Sequence, residues 1–162
     1  MILVLLAHLL AWRLGNPEST APNVNSPAAG IAYNGYGRWN GPQAGSPPAA
    51  EQVLSDIALL ASATKRIRTY SSTEMPSLLE HARSHGLSVS LGAWLDQDPQ
   101  RTQQEVSAAV LAAQAHSHVD RLIQGNETQL TRRLHAKAHY QILDETRARL
   151  RTPVSTAEPW HV

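Results

Sequence analysis

The sequence predicts an α/β protein in which five strands alternate with four helices. Short stretches rich in β-branched and aromatic residues recur along residues 30–162, and stretches with helical spacing of apolar residues lie between them. Successive strands begin about one strand and one returning helix apart, which is the crossover length that neighbouring parallel strands need. The alternation therefore predicts a single parallel sheet.

The first strand is predicted within residues 30–37 and runs into a loop rich in glycine and proline. Residues 51–64 form the next helix, because their apolar side chains recur at the spacing that buries one helical face. The members of this apolar stripe are Val53, Leu54, Ile57, Leu60 and Ala61. The sequence RIRTYSS at residues 66–72 then predicts the second strand.

A short helix is predicted at residues 74–86, since Pro76 is tolerated in a first turn and Gly86 ends a helix. A longer helix follows the third strand, with Asp98 as its N-cap and Pro99 at its first position. The other predicted elements are strands at 87–95, 119–127 and 152–160, a helix at 98–117, and a fourth helix contained within residues 128–151.

A parallel sheet of this kind is either doubly wound or part of a (β/α)₈ barrel. A doubly wound fold that binds nucleotides carries a glycine-rich phosphate motif between a strand and a helix, and neither G-x-G-x-x-G nor a Walker A sequence occupies such a place. We therefore expect residues 30–162 to form part of a (β/α)₈ (TIM) barrel.

Residues 1–14 are expected to be a separate apolar segment, joined to the barrel by a proline-rich linker at residues 15–29. The apolar run ends at Trp12 and is shorter than the roughly 20 residues of a membrane-spanning helix. It has the length of a signal-peptide core, although no basic residue precedes it. We expect export or membrane association through residues 1–12, which places the protein in the periplasm, the cell envelope or the extracellular space.

Composition excludes several classes of function. The chain is 42% apolar and 17% charged with a formal net charge of +1, so it is globular and offers no electrostatic reason to bind nucleic acid. The lack of cysteine excludes disulfides and thiolate metal sites. Two histidine pairs, 81/85 and 135/139, have zinc-ligand spacing but no third ligand, so we expect surface histidines and no cofactor.

Polar and aromatic side chains collect where the predicted strands end, which is where barrel enzymes carry their chemistry. Sugar rings stack on aromatic faces, and their hydroxyls bind carboxylates and amides. These ends therefore predict a carbohydrate cleft. The residues concerned are Tyr33, Asn34, Tyr36, Arg68, Tyr70, Ser71, Trp94, Asp96, Asn126, Glu127, Thr156, Glu158 and Trp160.

Four of these segments, RIRTYS, GLSVSLGAWL, LIQGNE and PVSTAEPW, resemble strands of family-17 glycoside hydrolases, in particular the bacterial members linked to β-1,3- and β-1,6-glucan synthesis and remodelling. The resemblance runs from about residue 31 to residue 162. It implies that Glu127 is the general acid/base of a retaining hydrolase or transglycosylase acting on β-glucan, and that Asn126 holds a sugar hydroxyl. The glucan subsites implied by the resemblance are lined by Tyr33, Arg68, Tyr70, Trp94, Glu158 and Trp160.

The resemblance also implies a catalytically incomplete chain. Retention of anomeric configuration needs a second carboxylate about 5 Å from the acid, and in the family that nucleophile lies on the seventh strand. We therefore expect an N-terminal portion of the barrel, completed by self-association or by a missing C-terminal half. Alternatives remain open: Glu158 as nucleophile, Glu127 as a helix-start charge, and a non-catalytic glucan-binding module or inactive fragment.

Overall fold

Five parallel strands lie in one sheet, in the same order that they have along the chain. The computed structural model describes residues 2–17, 19, 26–37 and 46–160. The strands are β1 (Ile31–Ala32), β2 (Arg66–Arg68), β3 (Ser88–Ala93), β4 (Val119–Asn126) and β5 (Val154–Ala157). The helices are α1 (Ile2–Gly15), α2 (Ala50–Ala63), α3 (Leu78–Ser84), α4 (Pro99–Ala115) and α5 (Ala136–Arg147). The predicted α/β class with a five-stranded parallel sheet is confirmed.

The hydrophobic core lies between one face of the sheet and helices α2 to α5. Side chains alternate between the two faces of a strand, so every second residue of β3 faces the helices. Val89 and Leu91 are buried in this core, whereas Ser90 faces the opposite side. There the Ser90 hydroxyl and the Arg66 guanidinium both donate to the carboxylate of Asp120. The sheet therefore has an apolar face toward the helices and a polar face on the other side.

Helix α2 shows how closely the predicted apolar stripe matches the buried face. Val53 and Ile57 are fully buried, and Leu60 and Ala61 pack against the core. Leu54 is 43% exposed, so its predicted place in the stripe was wrong. It follows Val53 directly, and a helix turns consecutive residues roughly 100° apart, which carries Leu54 beyond the buried stripe.

The predicted start and end signals of two helices are confirmed. The Asp98 side chain accepts hydrogen bonds from the backbone amides of Gln100 and Arg101, and Pro99 is the first residue of α4. Gly86 lies just beyond α3 with a φ of 67°, the left-handed conformation that glycine adopts at the end of a helix.

Helix α3 begins later than predicted, and the helix expected within residues 128–151 fills only part of that range, because local hydrogen bonds hold the chain in turns. The Ser71 hydroxyl accepts from the amides of Thr73 and Glu74, so α3 begins only at Leu78. Residues 128–134 form turns instead of the first part of a helix, and Arg132 has a φ of 53°, which interrupts helical geometry. Helix α5 accordingly begins at Ala136.

Helix α1 carries the apolar segment predicted for residues 1–14, and none of its side chains is buried. Within the described ranges, no helix combines the length and the apolar character that a membrane crossing requires. Part of the predicted linker, at residues 18 and 20–25, and the glycine- and proline-rich loop at residues 38–45 lie outside the described residues.

Candidate active site

Glu127 follows β4 directly, and its backbone is fixed on both sides. Its amide donates to the carbonyl of Ala157 at 2.8 Å, and its carbonyl accepts from the Thr131 amide at 2.9 Å and the Thr131 hydroxyl at 2.6 Å. The φ of Glu127 is 53°, a left-handed conformation that is uncommon for residues other than glycine. Its side chain is exposed. The chain therefore presents a carboxylate at the end of the sheet through a strained and well-anchored turn.

The glycine before Asn126 is required by this turn. Gly125 has a φ of 85°, and a Cβ atom there would lie 2.5 Å from the Thr128 hydroxyl oxygen and 2.9 Å from Nε2 of His139. A side chain would therefore both strain the backbone and collide with its neighbours. The glycine of the Gly-Asn-Glu sequence is thus explained by local geometry.

Glu158 lies just after β5 and binds the backbone that follows Glu127. One carboxylate oxygen accepts from the Thr128 amide at 2.7 Å, and the other accepts from the Gln129 amide at 3.2 Å. The side chain is only 11% exposed. The structure therefore brings Glu158 close to Glu127 in the fold, but with both carboxylate oxygens engaged by the protein backbone.

His139 lies beneath this turn, although the sequence placed it on the surface. It is fully buried, with Nε2 3.0 Å from the carbonyl of Gln124 and Nδ1 3.9 Å from the Glu158 carboxylate. The surface prediction for His139 was therefore wrong. The buried residues of α5 are His139, Leu143 and Thr146, whose spacing is that of one helical face. That spacing is the sequence signal that would have indicated burial.

A cleft of about 430 Å³ opens at the carboxyl ends of the strands. Three of the predicted substrate-binding residues line it: Tyr70, Trp94 and Asn126. The other lining residues are Asn34, Tyr36, Ser71, Glu74, Asp96 and Arg101. Glu74 and Arg101 were not predicted from the sequence, because they lie on a loop and on a helix instead of at a strand end. The structure thus places aromatic rings, carboxylates and two side-chain amides around one cavity.

Arg68 connects two sides of this region. Its Nη2 atom donates to the Asn126 side-chain oxygen at 2.8 Å, and its guanidinium lies 4.9 Å from the centre of the Tyr70 ring. Strand β3 lies between β2 and β4, and Gly92 of β3 has no side chain to obstruct this reach. A Cβ at Gly92 would lie 2.6 Å from the Tyr70 backbone, so glycine is also needed for the close approach of β2. Arg68 therefore orients Asn126 and Tyr70.

Trp94 is held from two directions. The guanidinium of Arg133 lies 4.2 Å from the centre of the Trp94 ring, a cation–π contact. The Trp94 amide donates to Oε2 of Glu105 at 3.1 Å. The loop after β4 therefore packs its Arg133 on the aromatic residue that follows β3, and the ring borders the cleft in a defined position.

Glu105 is a buried carboxylate on α4 that the sequence analysis missed. It accepts from the Ser71 hydroxyl at 2.6 Å, from the Ser72 amide at 2.8 Å and from the Thr73 hydroxyl. Because it also accepts from Trp94, the loops after β2 and β3 are both attached to one side chain. The residues around Glu105 in α4 are polar, so the sequence predicts a solvent-exposed face there. It therefore gave no signal that Glu105 is buried and binds two loops.

Two ionisable groups that line the cleft, the Glu74 carboxyl and the Tyr36 phenol, have pKa values raised by their surroundings. Burial raises the pKa of Glu74, and the neighbouring Glu105 carboxylate raises it further, while the Tyr36 hydroxyl and Arg101 act in the opposite direction. Burial and the Glu74 carboxylate likewise raise the pKa of Tyr36. Glu74 therefore holds its proton more tightly than an ordinary carboxyl.

Two predicted binding residues lie elsewhere. The Tyr33 hydroxyl donates to the Asp56 carboxylate of α2 at 2.9 Å, and its ring packs against the core. Burial, together with Asp56, raises the pKa of Tyr33 well above its ordinary value. Trp160 is 95% exposed and is not among the residues lining the cleft. The contacts of Tyr33 support a structural role, and its neighbour Tyr36 occupies the cleft.

The part of the chain that the structure describes contains no group of three or more His, Cys, Asp or Glu side chains arranged to hold a metal ion. The two predicted histidine pairs do not form such a group.

Comparisons with known proteins agree with the fold. Residues 30–162 match the family model of the BtgE/BtgC glycoside hydrolase domain. No curated protein matches the chain. Two solved structures are similar to it. The first is an active-site mutant of Rhizomucor miehei β-1,3-glucanosyltransferase in complex with laminaritriose, at 25% identity and a TM-score of 0.65.

The second is the glycoside hydrolase family 17 β-1,3-glucanosyltransferase from Rhizomucor miehei, at 26% identity and a TM-score of 0.62. Each similarity covers 80% of this chain, but only 49% and 48% of the respective structure. The chain thus corresponds to about half the length of these glucanosyltransferases. The resemblance to family-17 glycoside hydrolases is confirmed, as is a fold like part of their barrel.

Proposed function

The chain belongs to the BtgE/BtgC glycoside hydrolase domain family, and from this premise we propose that it supplies the general acid/base of a retaining hydrolase or transglycosylase acting on β-1,3-linked glucan. The observation that carries the proposal is the position of Glu127. Its carboxylate is presented at the end of a barrel-type strand, next to an Asn126 that lines an aromatic cleft.

In this proposal Glu127 first protonates the glycosidic oxygen of the leaving sugar. It then removes a proton from water or from an acceptor sugar, which completes hydrolysis or transfer respectively. A general acid must carry its proton at the working pH, which requires burial or a neighbouring carboxylate. The exposed side chain of Glu127 would gain such surroundings once substrate and the remaining part of the site are in place.

The retaining mechanism also needs a nucleophilic carboxylate about 5 Å from the acid. Glu158 is a poor candidate, because its two oxygens accept hydrogen bonds from backbone amides and its side chain is largely buried. We therefore place the nucleophile in a part of the barrel outside the strands described here, or in an associating chain. The half-length match to the glucanosyltransferases supports this view.

The cleft supports β-glucan as the ligand. Tyr70 and Trp94 offer aromatic faces to sugar rings, while Asn126 and Asp96 offer hydrogen bonds to hydroxyls. Arg68 acts behind them by orienting Asn126. Trp160 remains a predicted subsite residue at the end of β5. The proposal involves no metal ion or organic cofactor.

Location is part of the same proposal. The exposed apolar side chains of α1 would direct the protein to the cell envelope or to export, as the sequence predicts.

A non-catalytic glucan-binding module is the second candidate. The engaged carboxylate of Glu158 favours it, since this chain then offers a sugar cleft and an acid without an available nucleophile.

The test is an assay of laminarin turnover, following reducing ends and transfer products, together with calorimetric binding of laminaritriose. The purified chain is compared with Glu127→Gln and with Glu51→Gln, a matched change at an exposed position on α2. Turnover that is lost only in Glu127→Gln supports the enzyme. Binding without turnover in the folded chain is expected both from the binding module and from an acid whose nucleophile lies outside these strands. Turnover after the missing half of the barrel is added, and its loss in Glu127→Gln, then supports the enzyme, whereas no turnover in that complete barrel supports the binding module. The absence of both binding and turnover contradicts the proposal.

A further inference from the structure

We propose that Glu158 is a positioning residue that holds the backbone of Glu127 in its left-handed conformation. This inference rests on the proposed function in one respect only, namely that Glu127 is the acid/base residue. It replaces the sequence-based expectation that Glu158 binds sugar.

The left-handed backbone of Glu127 needs a clamp, by which we mean hydrogen bonds that hold the peptides on both sides of this residue. A left-handed conformation costs a residue with a side chain about 1 kcal/mol or more, so it persists only where surrounding contacts impose it. On its amino-terminal side, the Glu127 amide is held by the Ala157 carbonyl of β5. On its carboxyl-terminal side, the next two amides belong to Thr128 and Gln129. These two amides point at one acceptor, the Glu158 carboxylate.

Glu158 is well suited to hold these amides. Its two oxygens accept from two consecutive amides at 2.7 and 3.2 Å, and hydrogen bonds to an ionised acceptor are stronger than those between neutral groups. Because Ala157 and Glu158 are consecutive, the chain at the end of β5 accepts hydrogen bonds from the peptides immediately before and after the Cα of Glu127. A change at Glu158 would therefore release the peptide that orients the Glu127 side chain.

The carboxylate itself is supported from below. The fully buried His139 ring places Nδ1 3.9 Å from Glu158 and 3.4 Å from the side-chain nitrogen of Gln129. Its Nε2 lies 3.0 Å from the Gln124 carbonyl of β4. Since Gly125 has no side chain, the turn packs directly on this ring. The buried His139 ring thus fixes the position of the Glu158 carboxylate, and a positioning residue must itself be held in place.

A direct sugar ligand would have different surroundings. It would present at least one carboxylate oxygen to the cleft, whereas both oxygens of Glu158 are bonded to backbone and the residue does not line the cavity. The largely buried side chain also leaves little surface for a hydroxyl to approach. The geometry therefore favours positioning over sugar binding.

Amide hydrogen exchange of the ¹⁵N,¹³C-labelled full chain, read by NMR, tests the inference. Glu158→Ala removes both acceptors and Glu158→Gln removes one, while Glu51→Gln is the matched exposed control. We expect exchange at Thr128 and Gln129 to accelerate by about tenfold or more in Glu158→Ala, and at one of the two amides in Glu158→Gln. The Cα and Cβ shifts of Glu127, which report its left-handed backbone, should change in the same variants.

A merely structural defect would instead accelerate exchange evenly, including at the amides of Val89 and Leu122 in the core strands. That even pattern, or unchanged Glu127 shifts, would overturn the inference. So would weaker laminaritriose binding in Glu158→Gln with the turn unaltered, which would make Glu158 a sugar ligand. If Glu158→Ala does not fold, the wild-type chain still decides, because fast exchange at both Thr128 and Gln129 contradicts a clamp.

These measurements need no turnover. A failed clamp is therefore distinguishable from a failed assignment of Glu127, which the laminarin assay tests separately.

Discussion

The backbone amide of Trp94 donates a 3.1 Å hydrogen bond to the carboxylate of Glu105, a buried side chain on the following helix. The same carboxylate accepts from Ser71 and Ser72 in the loop after β2. Two loops that border the cleft are thus fixed to one residue that does not itself line the cleft. Helix α4 therefore fixes the backbone of Trp94 and of the loop that follows Tyr70.

Replacing Glu105 by Gln is expected to destabilise the fold by about 3 kcal/mol. The NH₂ group of the glutamine would face hydroxyl and amide donors that now bind the Glu105 carboxylate, so their hydrogen bonds would be lost. Urea unfolding measures the loss, and laminaritriose affinity should fall with it because Trp94 and the β2 loop shift. Glu145→Gln, an exposed change on α5, serves as the control. Stability equal to that of the wild type would show that the Glu105 network contributes little.

Two glycine substitutions separate backbone strain from collision. Gly86→Ala should cost about 1 kcal/mol, because φ is 67° but a Cβ there meets nothing within 4 Å. Gly125→Ala should cost about 3 kcal/mol or more, because its Cβ would also collide with Thr128 and His139. Thermal and urea unfolding compare the two variants. Equal losses would mean that the turn adapts to a side chain and that packing on His139 is loose.

Trp94→Ala is expected to weaken laminaritriose binding by about three- to tenfold, the range expected for loss of an aromatic stacking contact. Calorimetry on the folded variant measures the change. Trp12→Ala is the matched control, since Trp12 lies exposed on α1. Unchanged affinity in Trp94→Ala would indicate that Arg133 occupies the ring face in the complex as it does in the free chain.

The pKa of Glu74 is raised above the ordinary 4.5 by burial and by Glu105, so the folded state binds this proton more tightly than the unfolded state. Glu74 therefore lowers stability as pH rises from 4.5 through its raised pKa. Glu74→Gln removes that dependence, and its melting temperature relative to wild type should be higher at about pH 7 than at about pH 4.

Glu80 provides a control of opposite sign. Hydrogen bonding and attraction to Arg83 lower the pKa of Glu80, so its contribution to stability is present above 4.5 and is lost as pH falls through the lowered pKa. Glu80→Gln should therefore lose stability relative to wild type at about pH 7 and less at about pH 4. If the stability of both variants relative to wild type changed with pH in the same direction, the raised pKa of Glu74 would be contradicted.

Short-range patterns predicted much of the fold. The alternation of strands and helices identified the parallel sheet, and Asp98 and Gly86 marked helix boundaries correctly. Such signals are reliable because caps, turns and apolar periodicity depend on residues only a few positions apart. The motif around Glu127 likewise pointed to the family before any geometry was known.

Only the tertiary structure decided the roles of several polar residues. Tyr33 and Tyr36 are close in sequence, yet one bonds Asp56 and the other lines the cleft. Glu105 binds the Ser72 amide, 33 residues away along the chain, and Glu158 binds the Thr128 amide, 30 residues away. Nothing within one helix or strand specifies such a partner, because the pairing arises when separate strand ends meet at one edge of the sheet. The sequence alone therefore determined the fold class and the candidate acid, and packing determined which carboxylates support it.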